Sequence, residues 1–305
     1  MSEPKVTFGH RLEAGLVWLL IALLRPLKPA TASRVAGAVC GFIGPLIPPS
    51  PLADKNLRLA MPELDKAQRR QIIKESWASL GSTAAELVHL RAISVETESG
   101  PGYKLIGWDE HVAPALQGAE RSIFFTGHLA NWEILPPAAH ARGISLGFMY
   151  RAASNPLVNN MILRLREAQS AHKVTMFAKG AAGARGAYAH LLRKGNLGLL
   201  VDQKLDTGLP VPLFGHTALT MDAMAAFALK FRCPVIPVHV VRVAPARLHV
   251  ICEAPLVVPN TGDHDADALA LTTEMNQYLE RWIRAQPGSW LWLHRRWPKE
   301  AYKAL

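Results

Sequence analysis

What most constrains this 305-residue chain is an alternation, downstream of residue 121, of short apolar runs with stretches of helical periodicity. Residues 122–126, 144–150, 173–177, 197–201, 235–241 and 248–252 have strand length and are rich in β-branched, aromatic or aliphatic side chains. Between them, helical patterns cover 184–193, 221–232 and 265–284. Asn155-Pro156 supplies a cap and a first-position proline for a helix running to about Gln169. Upstream, Ile73, Trp77, Leu80, Ala84 and Leu87 recur near helical spacing within 66–90, and Gly100-Pro101-Gly102 then breaks the chain. Strands alternating with helices predict an α/β fold, with a mixed, mainly parallel sheet flanked by helices.

The N-terminus reads differently. Residues 14–24 are apolar and free of charge but too short for an ordinary spanning helix, and Arg25 and Lys28 after them count against a cleaved signal peptide. The charge-free run 35–53 is longer, yet it holds Gly37, Gly41, Gly44 and four prolines. The two runs predict a membrane-associated helical segment over 1–53, in or on the inner leaflet, with Arg11, Arg25, Lys28 and Arg34 at anionic headgroups. The alternative is a buried helix of an ordinary core. Residues 54–305 form the second expected unit, with no linker, repeat or low-complexity tract inside it.

Net charge narrows the partners. With 34 basic against 24 acidic residues the chain carries +10, which favours an anionic membrane face, an acidic protein or an acidic substrate. Nucleic acid is disfavoured, because no zinc-finger spacing, aromatic RNA-binding motif or long basic run occurs. Cys40, Cys233 and Cys252 are too few and too scattered for a disulfide framework or metal motif, which suits a reducing compartment.

Chemistry is expected where strands end. His128, Arg151 and Asp202 each stand just past an apolar run. If those strands are parallel, all three fall at one carboxyl edge of the sheet, where open α/β folds place their sites. His128 is followed five residues later by Glu133. A neutral imidazole can take a proton from an alcohol, and a carboxylate on its other nitrogen would fix the tautomer. Five residues of ideal helix turn through about 140°, so the pairing needs His128 in the entry turn. By spacing alone the pair is equally an ordinary turn histidine and a carboxylate near a helix N-terminus.

The surrounding string adds weight. Gly127-His128-Leu129-Ala130-Asn131-Trp132-Glu133 resembles the signature of the late acyltransferases of lipid A biosynthesis, the lauroyl and myristoyl transferases. These belong to the wider glycerolipid acyltransferase superfamily with its His-x4-Asp/Glu motif. Further similar strings follow in order: Tyr150-Arg151, Asn155-Pro156, Lys179 and Arg185, Leu199-Leu200-Val201-Asp202-Gln203, the stretch from Gly208 to Gly215, and the stretch from Trp290 to Trp297. The resemblance implies a glycerolipid-acyltransferase-like fold and transfer from an acyl-carrier-protein thioester to a hydroxyl of a lipid A precursor. The place implied is the cytoplasmic face of the cell inner membrane. His128 carries over as general base and Glu133 as its partner, with no metal or organic cofactor required. Other membrane-lipid acceptors, a non-catalytic lipid-binding relative and thioester hydrolysis are the alternative readings.

The remaining candidates each have two readings. Arg151 either holds a phosphate or thioester oxygen through its fork of donors or is a surface arginine at a strand end. Asn155 caps its helix or touches substrate. Asp202, with Gln203, ends a buried strand and needs a partner, for which Arg151 or Arg185 is the expectation. Lys179, Arg185 and Arg295 are phosphate contacts or solvated charge. Trp282, Trp290, Trp292 and Trp297 suit either a headgroup interface beside Arg295 or a packed core. Two decoys are set aside. Ser145 in Gly143-Ile144-Ser145-Leu146-Gly147 has an apolar run after it where a nucleophile elbow needs a helix, and His-x4-Glu lacks the paired histidines of zinc helices.

Overall fold

The computed structural model describes residues 6–150, 152–169 and 175–303. Its N-terminal part is helical: α1 (Phe8–Leu24), α2 (Pro29–Ile43), α3 (Pro49–Ala60) and α4 (Lys66–Val88), followed by the single turn α5 (Leu90–Ile93). Thr7 caps α1 and Asp65 caps α4, each through a reciprocal capping box with the residue three positions on. The glycines in the apolar run of α2 have a packing reason. Helices α2 and α4 approach so closely that a Cβ on Gly37 would lie 2.5 Å from Ser82 Oγ and 3.2 Å from the Ala78 carbonyl oxygen. Helix α3 runs unbroken across residues 53 and 54, the expected boundary. It is fixed to the C-terminal segment by Asn56, whose amide donates to the carbonyls of Trp292 and His294.

The sheet follows the predicted alternation. Its strands are β1 (Gly102–Ile106), β2 (Ile123–Thr126), β3 (Leu146–Tyr150), β4 (Thr175–Ala178) and β5 (Asn196–Leu200), joined by β8 (Val235–Ala244) and β9 (Arg247–Cys252). Strands β6 (Lys204–Leu213) and β7 (His216–Thr220) form a separate antiparallel hairpin. The helices between strands are α6 (Ala113–Leu116), α7 (Leu135–Ala141), α8 (Pro156–Gln169), α9 (Ala181–Leu192) and α10 (Ala223–Phe231); α11 (His264–Ala285) follows the last strand. Sheet order is β1-β9-β8-β2-β5-β3-β4. Every described pair within this seven-stranded sheet is parallel except the β8–β9 hairpin, so the mainly parallel α/β expectation holds.

Burial on both faces explains the near-continuous apolar strands. In β2 all four residues are buried, and successive side chains point to opposite faces. Ile123 and Phe125 join the core under α10 and α11, while Phe124 joins the core under α7 and the end of α4. The C-terminal tryptophans belong to the first of these cores. Trp290, Trp292 and Trp297 are fully buried and Trp282 nearly so, which overturns the headgroup reading of that segment. Burial is tolerable because each indole N–H has an acceptor: Asp202 for Trp290, the Pro287 carbonyl for Trp292, the Leu213 carbonyl for Trp297 and Glu253 for Trp282.

Helix α1 is the opposite case. Only Ala14 along it is buried, while Phe8, Leu12, Leu16, Trp18 and Leu23 are exposed; Phe42 near the end of α2 and Leu46 just past it are exposed as well. Among the described residues no single helix is long and apolar enough to cross a membrane. The one pair of segments that passes together, Pro29–Leu46 with Pro49–Ala60, is bent by 85°.

Candidate functional site

The register between β2 and β5 builds the centre of the site. Thr126 lies opposite Leu200, so His128 and Asp202, each two residues further on, emerge side by side at the carboxyl edge. His128 Nδ1 and Asp202 Oδ1 are 2.7 Å apart, and the His128 backbone N–H donates to Asp202 Oδ2 at 2.8 Å. The Trp290 indole N–H donates to the same Oδ2 at 2.7 Å. Asp202 is fully buried and is therefore held by three donors from two segments. Burial by itself would raise its carboxyl; the charge and hydrogen bond of His128, with help from His294 and the His128 amide, outweigh this and keep it well below the usual carboxylate range.

An acceptor role for Asp202 sets the tautomer. With Nδ1 carrying the proton toward Asp202, Nε2 of a neutral His128 presents its lone pair. Among the described residues Nε2 has no hydrogen-bond partner. The Trp132 ring meets the imidazole edge-on at 4.8 Å and limits its rotation. Space at Gly127 is tight: a Cβ there would lie 3.0 Å from Leu279 and 3.4 Å from Asp202 Oδ2.

The carboxylate on His128 is thus that of Asp202, and the expected His128–Glu133 contact is corrected. Asn131 caps the short 3-10 turn that leads into α7, and Glu133 within that turn points to α8 instead. Arg166 clasps it with two bonds, Nε to Oε2 at 2.8 Å and Nη2 to Oε1 at 2.5 Å, and the Trp132 indole adds a third at 3.2 Å. The physical reason is the turn itself. Ala130 is in the left-handed region with φ 47°, and the 3-10 segment begins only at Trp132, so the two side chains do not share a helical face. Glu133 and Arg166 line a small cavity of about 40 Å³ with Tyr150, Leu200 and Trp132, the ring that meets His128.

The strained loop is clamped from α4. Thr83 donates to the Ala130 carbonyl at 2.7 Å, and fully buried Glu86 accepts from the Asn131 amide at 2.9 Å. Asn131 in turn accepts from the Glu133 N–H. Glu86 is itself neutralised by a two-bond contact from Arg242 and takes a further bond from Ser33 of α2. On the other side Ser289 accepts from Ala130 N–H, and Leu291 N–H donates to the His128 carbonyl. Such a fully satisfied network is what keeps a left-handed alanine and two buried carboxylates in place.

The other expected residues scatter. Arg151 lies outside the described residues. Asn155 is buried as a cap and joint: its Oδ1 accepts from Leu157 N–H, and its amide donates to the His10 carbonyl and Glu13 of α1. Lys179 is exposed and donates to the Lys204 carbonyl, Arg185 is exposed on α9, and Gln203 sits half-buried between β5 and β6. Arg295 is exposed over the Tyr302 ring, and it is the adjacent Arg296 that is buried, donating to Thr220 and the Leu219 carbonyl. Among the described residues Asp202 bonds His128 and Trp290 rather than the expected Arg185. Phe214-Gly215, at the end of the Gly208–Gly215 stretch, is the turn of the β6–β7 hairpin, both residues having positive φ. Among the described residues no group of three or more His, Cys, Asp or Glu is arranged to hold a metal ion.

Arg166, Trp290, Glu86 and Asn131 were not anticipated as parts of the site. What the assembly offers chemically is a base, with an oriented imidazole whose open nitrogen faces away from a fixed anion. The family model described as bacterial lipid A biosynthesis acyltransferase matches residues 6–299, nearly the whole chain. No curated protein sequence matches it.

Proposed function

The chain belongs to the bacterial lipid A biosynthesis acyltransferase family, and from that premise we propose that it moves a fatty acyl group from an acyl-carrier-protein thioester to a hydroxyl of a lipid A precursor. The observation that carries the mechanism is the 2.7 Å bond from His128 to a buried, three-fold anchored Asp202. His128 Nε2 takes the proton from the acceptor hydroxyl as its oxygen attacks the thioester carbonyl carbon. The imidazolium so formed is stabilised by Asp202. The tetrahedral intermediate then expels the thiolate as the C–S bond breaks, and the imidazolium returns the proton to sulfur. Attack is direct, with no acyl-enzyme. Glu133 acts through the loop: its pair with Arg166 ties the turn carrying His128 to α8.

The donor and the place of action follow from charge and surface. A +10 chain attracts an acidic carrier protein. The exposed apolar side chains of α1 and of the end of α2 suit a segment, within residues 1–53, seated in the cytoplasmic leaflet of the inner membrane. The test supplies full-length protein with carrier-protein and coenzyme A thioesters of several lengths and a panel of lipid acceptors, with products identified by mass spectrometry. An O-acylated lipid A precursor made faster from carrier protein supports the reading. Acylation of lysophospholipids alone, or thioester hydrolysis indifferent to acceptor, overturns it.

A further inference from the structure

Away from the carboxyl edge, an open groove of about 780 Å³ runs between the end of α2, the start of α3 and the first turns of α4. Its walls differ in chemistry. One carries Phe42 and Leu46, which are 78% and 81% exposed. The other carries Lys66, Arg70 and Lys74, which recur every fourth residue and so form one stripe of α4. All three are exposed and make no ion pair among the described residues. Asp54, the acidic residue in the lining, is already occupied by Arg69, which donates to it at 2.8 Å. The stripe is left as unopposed positive charge directly beside bare hydrocarbon.

We propose that this groove seats the headgroup of an anionic phospholipid of the bilayer, its phosphate on Lys66, Arg70 and Lys74 and its glycerol end beside Phe42 and Leu46. Cations bordering an apolar face match the order of layers in a membrane, phosphate beside acyl chain. A bilayer lipid fits better than the acyl acceptor, because the groove opens beside the outward apolar surface and no residue of the catalytic loop lines it. Helix α4 is shared, however. Beyond the groove its Ser76 donates to the Trp290 carbonyl, and its Thr83 holds the loop of His128. A lipid seated on the first turns of α4 therefore fixes the height of the catalytic edge above the membrane.

The inference rests on the bilayer reading of α1 and α2, and the two are separable. Full-length protein is titrated with vesicles of phosphatidylcholine alone and of phosphatidylcholine doped with phosphatidylglycerol. Wild type is expected to bind both, the anionic vesicles more tightly, with the excess falling as salt rises. Lys66→Gln/Arg70→Gln/Lys74→Gln is expected to lose about ten- to a hundredfold in affinity for the anionic vesicles and little for the neutral ones. The charge-matched control Arg193→Gln/Lys194→Gln/Lys230→Gln, at the C-terminal ends of α9 and α10, is expected to lose far less. Equal losses in the two triple variants, or none in the first, overturn the groove. So does an unchanged vesicle affinity accompanied by a raised KM for detergent-dispersed acceptor, which would make the acceptor its occupant. A wild type that ignores both vesicle types overturns the bilayer reading itself.

Discussion

Two histidines of this sheet stand beside a carboxylate, and their surroundings separate the proposed base from a packing residue. His128 lies on a loop past β2 with Asp202 Oδ1 at 2.7 Å, and Asp202 is aimed at it by the His128 amide and the Trp290 indole. His239 lies within β8 with Glu253 Oε1 at 3.5 Å, yet its Nδ1 is buried without a hydrogen bond. The Glu253 carboxylate is taken by Arg281 and the Trp282 indole, and the His239 ring is stacked on Trp282 at 4.8 Å. Burial, with the Arg281 charge adding to it, pushes His239 down to about 4, so it is neutral and enclosed at neutral pH. Proximity of imidazole to carboxylate is thus insufficient. A base needs its carboxylate aimed by other donors and its second nitrogen open.

The largest expected effect breaks this comparison most directly. His128→Ala should lower acyl transfer by about 10³-fold or more, while His239→Gln should stay within a few-fold of wild type in the same assay at pH 7. Comparable losses in both would erase the distinction. Next, Asp202→Asn should cost about 10²- to 10³-fold in kcat with little change in KM, because it disturbs the tautomer rather than substrate binding. Glu253→Gln is expected to leave kcat unchanged.

A third expectation concerns the turn that holds His128. Arg166→Met strands the buried Glu133 carboxylate and should destabilise the fold by about 3 kcal/mol in urea unfolding; the double variant Glu133→Gln/Arg166→Met should recover most of this. A single variant as stable as wild type would remove Arg166 from the clamp. The smallest effect is a pH dependence. His239 binds its proton more weakly folded than unfolded, so its contribution is complete above about pH 6.5 and is lost as pH falls toward about 4. Relative to wild type, His239→Gln should flatten the loss of stability across that window, by no more than about 3 kcal/mol, as read from denaturation at neutral pH and near pH 4.5. An unaltered slope would mean that the folded pKa of His239 is ordinary.

Much of this arrangement was legible in the sequence, for reasons that vary by element. Periodicity located α4, α8, α9, α10 and α11 within a few residues, and the apolar runs located β2, β3, β5, β8 and β9. Strand β1 was missed because its five residues, the first of them the last glycine of Gly-Pro-Gly, carry too little pattern. The β6–β7 hairpin was missed because Gly208, Pro210 and Pro212 argue against a strand, although an edge hairpin tolerates them. The shared edge of His128 and Asp202 was readable from strand ends, but their contact required knowing that β2 lies beside β5. Sequence spacing drew Glu133 to His128; only the packing of α8 against the turn gives Glu133 to Arg166, 33 positions away. The tryptophans near the C-terminus divided evenly between interface and core until their indole N–H groups had acceptors inside the molecule.

The most direct measurement is a double-mutant cycle on transfer by the full-length chain, with His128→Ala, Asp202→Asn and the two combined. If Asp202 works only through His128, the combined variant is no slower than His128→Ala alone. Losses that multiply, or an Asp202→Asn variant turning over at the wild-type rate, would contradict the dyad.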